Sequence, residues 1–348
     1  MPDPAVDRDF LMDFLVDLLR IDSPTGDCSM AIDFCRESLA DWPLEISENH
    51  KGALSATWAG ESEDRPRAMT AHVDTLGAMV KEIKSNGRLK ITNLGGLNFA
   101  SVECESVLVH TLSGENVPGS IMPVKASSHV HGSDASDLKR DTDTLEVRLD
   151  VQVQNVADVE ALGIRVGDFV YVDPRIERHN GFIRSRFLDD KACVACMVAA
   201  IKALYDARLV PAQRTTFHFS NYEEVGHGAA TGFPSDIVDL LTLDMAAVGE
   251  GQTSDEFSVT ICVKDSGGPY HRGFTKQLVD LGEKESIPTK LDIYPQYGSD
   301  GEALWRAGAD VRVALIGPGI DGSHSYERTH EDALVETTRL IVAYLLAE

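Results

Sequence analysis

The sequence predicts an α/β fold interrupted by a small β-rich module, and three observations carry that prediction. Helix and strand patterns alternate over roughly the first 82 residues. Between about 83 and 174, short alternating strands separated by Gly, Asn and Asp turns take their place. After 175 the helix–strand alternation resumes. With 348 residues the chain fits two domains, or one large domain with an insertion. The reading assigns 1–82 together with 175–348 to one domain and 83–174 to the inserted one.

The elements follow in order. Phe10, Leu11, Phe14, Leu15, Leu18 and Leu19 recur at helical spacing, which gives an amphipathic first helix ending at "IDSPTG". "SMAIDFCRESLADW" reads as a second helix, and "RAMTAHVDTLGAMV" contains a short buried strand. In the module, "GRLKITNLGG", "ESVLVHTLSG", "DTLEVRLDVQV" and "GDFVYVDP" read as strands, and "KASSHVHGSDASDLKRDTDT" as a flexible polar loop. Beyond it "KACVACMVAAIKALYDARL" is a helix, and "RTTFHFS", "LLTLDMA" and "DVRVALIG" are strands. The final "HEDALVETTRLIVAYLLAE" is a helix, with Thr329 and Asp332 at capping-box spacing.

Composition narrows the function. A hydrophobic share of 43% and a charged share of 25% are those of a soluble globular protein. The net charge of −24 argues against nucleic acid or an anionic membrane as partner, since both would repel it. No signal peptide or membrane span is read, so a cytoplasmic location is expected. The six cysteines are too scattered for a disulfide framework, and the Cys193–Cys196 C-x-x-C lacks a second pair, so core packing is expected of it.

Five places break apolar or strand-like context with an acid or imidazole. They are His72 and Asp74 in "AHVDTLG", Asp189 and Asp190 in "RFLDDKACVA", Glu223 and Glu224 in "NYEEVGHGAA", Asp244 in "LLTLDMAAVG", and His324 and His330 in "GIDGSHSYERTH". Each has a plain reading alone; paired aspartates, for example, suit a helix N-terminus. Together they stand near predicted strand ends, which points to one cleft. Mixed imidazole and carboxylate ligands suit Zn²⁺, Mn²⁺ or Co²⁺, and the lack of thiolate favours a catalytic site over a structural one. Adjacent glutamates on extended chain face opposite sides and cannot share one environment, which a metal site would explain better than a surface loop.

These segments, with "IDSPTG" and "GIRVGDFV", stand in the order found in metallopeptidase family forty-two, the tetrahedral and glutamyl aminopeptidases. The chain resembles that family over nearly its full length. The resemblance implies a dinuclear-metallopeptidase α/β/α sandwich with an inserted, PDZ-like or barrel-like dimerisation domain. It implies two divalent ions per subunit (Zn²⁺, Co²⁺ or Mn²⁺), small peptide substrates, and homo-oligomers from dimers up to tetrahedral dodecamers. By motif, His72 and Asp244 would serve separate metals, Asp189 would bridge them, Glu224 would bind one or the other, and His324 would complete the set. Glu223 would be the general base for the metal-activated water, and Asp74 would orient His72.

The chain also departs from the family pattern. "EEVGHGAA" reaches its next glycine early and lacks an arginine, which makes His227 a candidate substrate contact. "HSYERTH" replaces the commoner H-S-P, which leaves His330 beside His324 as a candidate ligand. Ser299–Asp300–Gly301 resembles the family's Gly-Thr-Asp-type loop, so Asp300 is a substrate-side candidate. Lys191 is expected to pair with the neighbouring aspartates, and His129 and His131 to lie in a loop or subunit contact. The variations look most like a subgroup associated with genes for the osmolyte N-acetylglutaminylglutamine amide, which implies a small glutamine-containing substrate. A dinuclear amidohydrolase or deacylase is the alternative among enzymes, and a non-catalytic assembly protein retaining the fold is the alternative outside them.

Overall fold

The computed structural model describes residues 4–348. The chain divides into two compact units, Met1–Asp74 with Ile176–Glu348, and Thr75–Arg175.

The larger unit is built on a mixed sheet. Its centre runs Gln213–Ser220, Ser62–His72, Asp239–Leu243, Arg312–Asp321, all parallel. Glu45–Glu48 and Leu54–Trp58 extend it on one side, and Glu327–His330, Phe182–Ser185 and Glu177–His179 on the other. Asp239–Leu243 is buried at every residue and Gln213–Ser220 at all but one, as expected of strands covered on both faces. The helix Leu188–Ala207 packs on Ser62–His72 and Arg312–Asp321, and against Arg8–Leu19 and Glu331–Leu346. It is buried around nearly its whole circumference, which small residues such as Ala192, Cys193, Ala195 and Cys196 permit. Both cysteines are free and packed in this core. The helix Asp300–Arg306 also packs on the central strands, with Leu304 joining Ala68, Leu240, Val313 and Leu315 in one cluster.

Two details differ from the sequence expectation. His330, not Thr329, caps the terminal helix Glu331–Leu346: its Nδ1 accepts the Asp332 N–H (3.1 Å), while the Thr329 hydroxyl donates to the Gly319 carbonyl. Lys191 does not pair with the aspartates. Its buried ammonium donates to the carbonyls of Leu18 and Ile21 at the end of the first helix, and burial lowers it to about 8.

The second unit is a closed six-stranded barrel in the order Gly77–Ile83, Leu89–Leu94, Leu145–Leu149, Asn116–Pro123, Ser106–His110, Phe169–Val172. Its strands alternate, as Asn116–Pro123 shows, with Val117, Gly119, Ile121 and Pro123 turned inward. The strand Gly77–Ile83 thus belongs with the barrel. The segment read as a flexible loop contains two single-turn helices, Ser128–His131 and Ser133–Ser136, with Arg140 paired to Glu103 nearby. His129 and His131 are exposed on the first of these. Among the described residues no helix is long and apolar enough to cross a membrane.

Candidate active site

The parallel strands deliver their chemistry at one edge. His72 ends its strand opposite Ser220, Glu223 and Glu224 follow Ser220 in a short 3-10 turn, and Asp244 follows Leu243. This is the carboxyl end of an open α/β sheet, where crevices form. Asp189 arrives just ahead of the regular part of the helix Leu188–Ala207, with non-helical backbone at Asp189 and Asp190. His324 sits in the turn between the strands Arg312–Asp321 and Glu327–His330. Phe187, Tyr222 and His324 all hold positive φ (70°, 74° and 62°), so three of the site loops turn through left-handed backbone that only surrounding contacts can hold.

Asp189 lies between the two histidines. One carboxylate oxygen is 3.2 Å from His72 Nε2 and the other 3.6 Å from His324 Nε2. Glu224 lies 3.7 Å from His324 Nε2, and Glu223 lies 3.7 Å from His72 Nε2. Two groups result whose potential ligand atoms all lie within 4.8 Å of one another: His72, Asp190 and Asp244, and Asp189, Glu224 and His324. His72 and Asp244 therefore stand in the same group, where the resemblance had placed them on separate metals. Glu224, left open by the sequence, goes with His324.

His330 lies elsewhere. Its ring packs on Phe182 and Phe257, so His324 is the histidine the fold brings to the cluster.

Buried acids set the frame. His72 Nδ1 donates to the Asp74 backbone carbonyl at 2.8 Å, a tautomer inferred from the network, which turns Nε2 toward the cluster. The Asp74 carboxylate is 3.6 Å from that ring and accepts the N–H groups of Glu223 and Glu224 and the Thr25 hydroxyl. Asp74 thus orients His72 through its backbone and the glutamate turn through its side chain. Asp300 is buried beneath the site, away from the cleft lining, so the substrate-side expectation fails. Its oxygens accept the hydroxyls of Thr70 and Ser220 and the Ala229 N–H.

Glu327 was missed by sequence reasoning. Its buried carboxylate accepts the N–H of Asp189 and the N–H of His324, both at 3.1 Å. Asp190 was noted only as Asp189's neighbour, yet it accepts the His72 N–H at 3.2 Å. An acid inside the alternating strand "ERTH" was the available signal for Glu327. His227 is exposed and stacks on Tyr222, outside the cleft lining.

The cleft has a volume of about 440 Å³ and is lined by Asp189, Glu223, Glu224, Asp244, His324 and the loop Gln296–Ser299, among others. So much buried negative charge is costly without a cation. Burial, then neighbouring carboxylates, push Glu223, Glu224, Asp190 and Asp244 well above the ordinary range. Burial alone would lower His72, but Asp189, Glu223, Asp190 and Asp74 raise it well above the usual histidine value. Glu224 Oε1 is buried with no hydrogen-bond partner. An all-N/O donor set, an orphaned carboxylate oxygen and a carboxylate spanning two histidines fit divalent cations.

The profile of the M42 glutamyl aminopeptidase family matches residues 52–340. The chain belongs to that family. It is 47% identical over 335 residues to the Bacillus subtilis (strain 168) protein named "Putative aminopeptidase YhfE", with 96% of each chain covered. Among solved structures, the TET aminopeptidase of the marine sediment archaeon Thaumarchaeota archaeon SCGC AB-539-E09 superposes with a TM-score of 0.88 at 19% identity, covering 97% of this chain and 96% of that one. The Pyrococcus horikoshii TET1 peptidase, described as assembling into a tetrahedron or a large octahedral shell, superposes at 0.84 with 22% identity, covering 97% and 100%. The chain is thus a peptidase of a metallopeptidase family, with that family's α/β sandwich and barrel.

Proposed function

We propose that this family member is a two-metal aminopeptidase that removes N-terminal residues from small peptides, with Glu223 as general base. The observation that carries the reading is Asp189, whose two oxygens face His72 and His324, between the two ligand groups and beside Glu223. His72, Asp190 or Asp189, and Asp244 would hold one ion; Asp189, Glu224 and His324 would hold the other. When bound, such ions lower the pKa of a shared water and polarise the scissile carbonyl. Glu223, on the cleft wall with its backbone fixed by Asp74, takes the proton from the attacking water and returns it to the departing amine. Homo-oligomerisation is part of the same proposal, supported by the assemblies described for the Pyrococcus horikoshii TET1 peptidase.

The test uses metal-stripped protein refilled separately with Zn²⁺, Mn²⁺ and Co²⁺, assayed on free and N-acetylated peptides that include glutaminylglutamine compounds. Cleavage only where the α-amine is free supports the aminopeptidase. Cleavage of acetylated compounds points to a deacylase on the same residues. Glu223→Gln should lose about 10²–10⁴-fold in kcat while retaining metal by elemental analysis. Equal loss of metal and activity would remove Glu223 from the role of base.

A further inference from the structure

One residue of the cleft wall is tied to an acid of the candidate metal groups, yet has no carboxylate or imidazole of its own. Tyr297 stands in the loop 296–299 and lines the cleft together with Asp244. Neighbouring chain holds it from behind. Its carbonyl accepts the N–H of Ser266 (3.0 Å) and the Ser266 hydroxyl, and its ring packs on Tyr294 with centroids 5.3 Å apart. Its phenol crosses to the segment that follows the strand Asp239–Leu243. There the hydroxyl donates to the Met245 carbonyl at 2.9 Å and lies in hydrogen-bonding contact with the Asp244 carboxylate. Backbone groups give Asp244 two further ties: its Oδ1 accepts the Met245 N–H at 2.7 Å, and its own N–H donates to the Ile316 carbonyl at 3.1 Å. A phenol is neutral near pH 7, so it steadies this carboxylate without bringing a positive charge that would compete with a cation.

We propose, under the two-metal reading above, that Tyr297 is a positioning residue for the group of His72, Asp190 and Asp244, acting through the Asp244 carboxylate. A ligating carboxylate keeps a fixed geometry when its outer contacts hold it, and loss of such a contact typically costs about 10–100-fold in metal affinity. The acceptors of the Tyr297 hydroxyl are Asp244 and the carbonyl that follows it, not Asp189, Glu224 or His324 of the other group. Its effect should therefore fall on one ion of the two.

Calorimetric titration of metal-stripped protein with Zn²⁺ or Co²⁺ tests this without turnover. Two binding events are expected in the wild type. Tyr297→Phe, which removes the hydroxyl and keeps the ring, should weaken one event roughly 10-fold or more and leave the other in place. Asp244→Asn should weaken the same event. Adding Tyr297→Phe to Asp244→Asn should change the remaining event no further, because the hydroxyl acts through that carboxylate. Both events weakened alike by Tyr297→Phe, or neither weakened, would overturn the proposal, and so would a further loss in the double variant. Peptide assays on the refilled proteins report separately on the peptidase reading. A wild type that binds two ions and cleaves no peptide would sink that reading, with calorimetry still deciding Tyr297. No metal uptake by the wild type would overturn both.

Discussion

Both carboxylate oxygens of Asp74 accept backbone N–H groups from the glutamate turn, so the side chains of Glu223 and Glu224 are left to divide between the two histidines. Asp300 and Glu327 act in the same way: each is buried, and each holds backbone or hydroxyl donors from separate site elements. Acids that bind N–H groups keep those loops in one conformation, which a metal site needs for fixed geometry. His218 shows the opposite use of a buried titratable group. Its Nδ1 pairs with the Ser55 hydroxyl at 2.8 Å, and burial pushes its ring down to about 4. In the unfolded chain the ring takes a proton near pH 6.5, but in the folded chain only near 4. The stabilisation is present above about 6.5 and lost as pH falls toward 4, by about 3 kcal/mol at full loss. His218→Asn, which keeps an acceptor near the Nδ1 position, should flatten the acid limb of the stability curve measured by urea titration across that range. An unchanged limb would show that His218 is not the group responsible.

At the scale of elements, the site depends on how the turn after Gln213–Ser220 seats on Asp300. Gly228 has no room for a side chain: a Cβ would sit 2.2 Å from Asp300 Oδ1 and about 3 Å from the Glu223 backbone. Gly228→Ala should therefore displace the glutamate turn and lower kcat by at least roughly 10-fold, while circular dichroism remains native. Wild-type kcat would mean that the turn relaxes without moving Glu223. This dependence explains what was legible in the sequence. The periodic strands and helices were readable because burial writes period-two and period-3.6 patterns, and His72, Asp189, Glu223, Glu224, Asp244 and His324 stood out as polar breaks in them. The anchors were not readable. Asp300 looked like a cleft residue because a local motif carries no depth, and Glu327 drew no reading of its own because the segment around His324 gave no sign that an acid there would be buried. The pairing of His72 with Asp244 needed the order of the sheet, in which their strands lie side by side.

For the whole molecule, the net charge of −24 is concentrated in part where folding places several carboxylates within a few ångströms of one another. Cations that bind this arrangement, but not the unfolded chain, should add to stability by mass action. At a free metal concentration about 100 times Kd, one site contributes about 2.7 kcal/mol, which is several degrees of Tm. Metal-stripped protein should thus melt lower than the Zn²⁺-, Mn²⁺- or Co²⁺-loaded form, and the gain should saturate with added ion. Asp244→Asn should reduce that gain, because it weakens the group containing His72. Glu223→Gln, with its side chain assigned to proton transfer, should keep it. This comparison reads the metal groups without recourse to catalysis. A Tm indifferent to metal in the wild type would remove the cations from the site, and an equal loss of the gain in Glu223→Gln would make Glu223 a ligand.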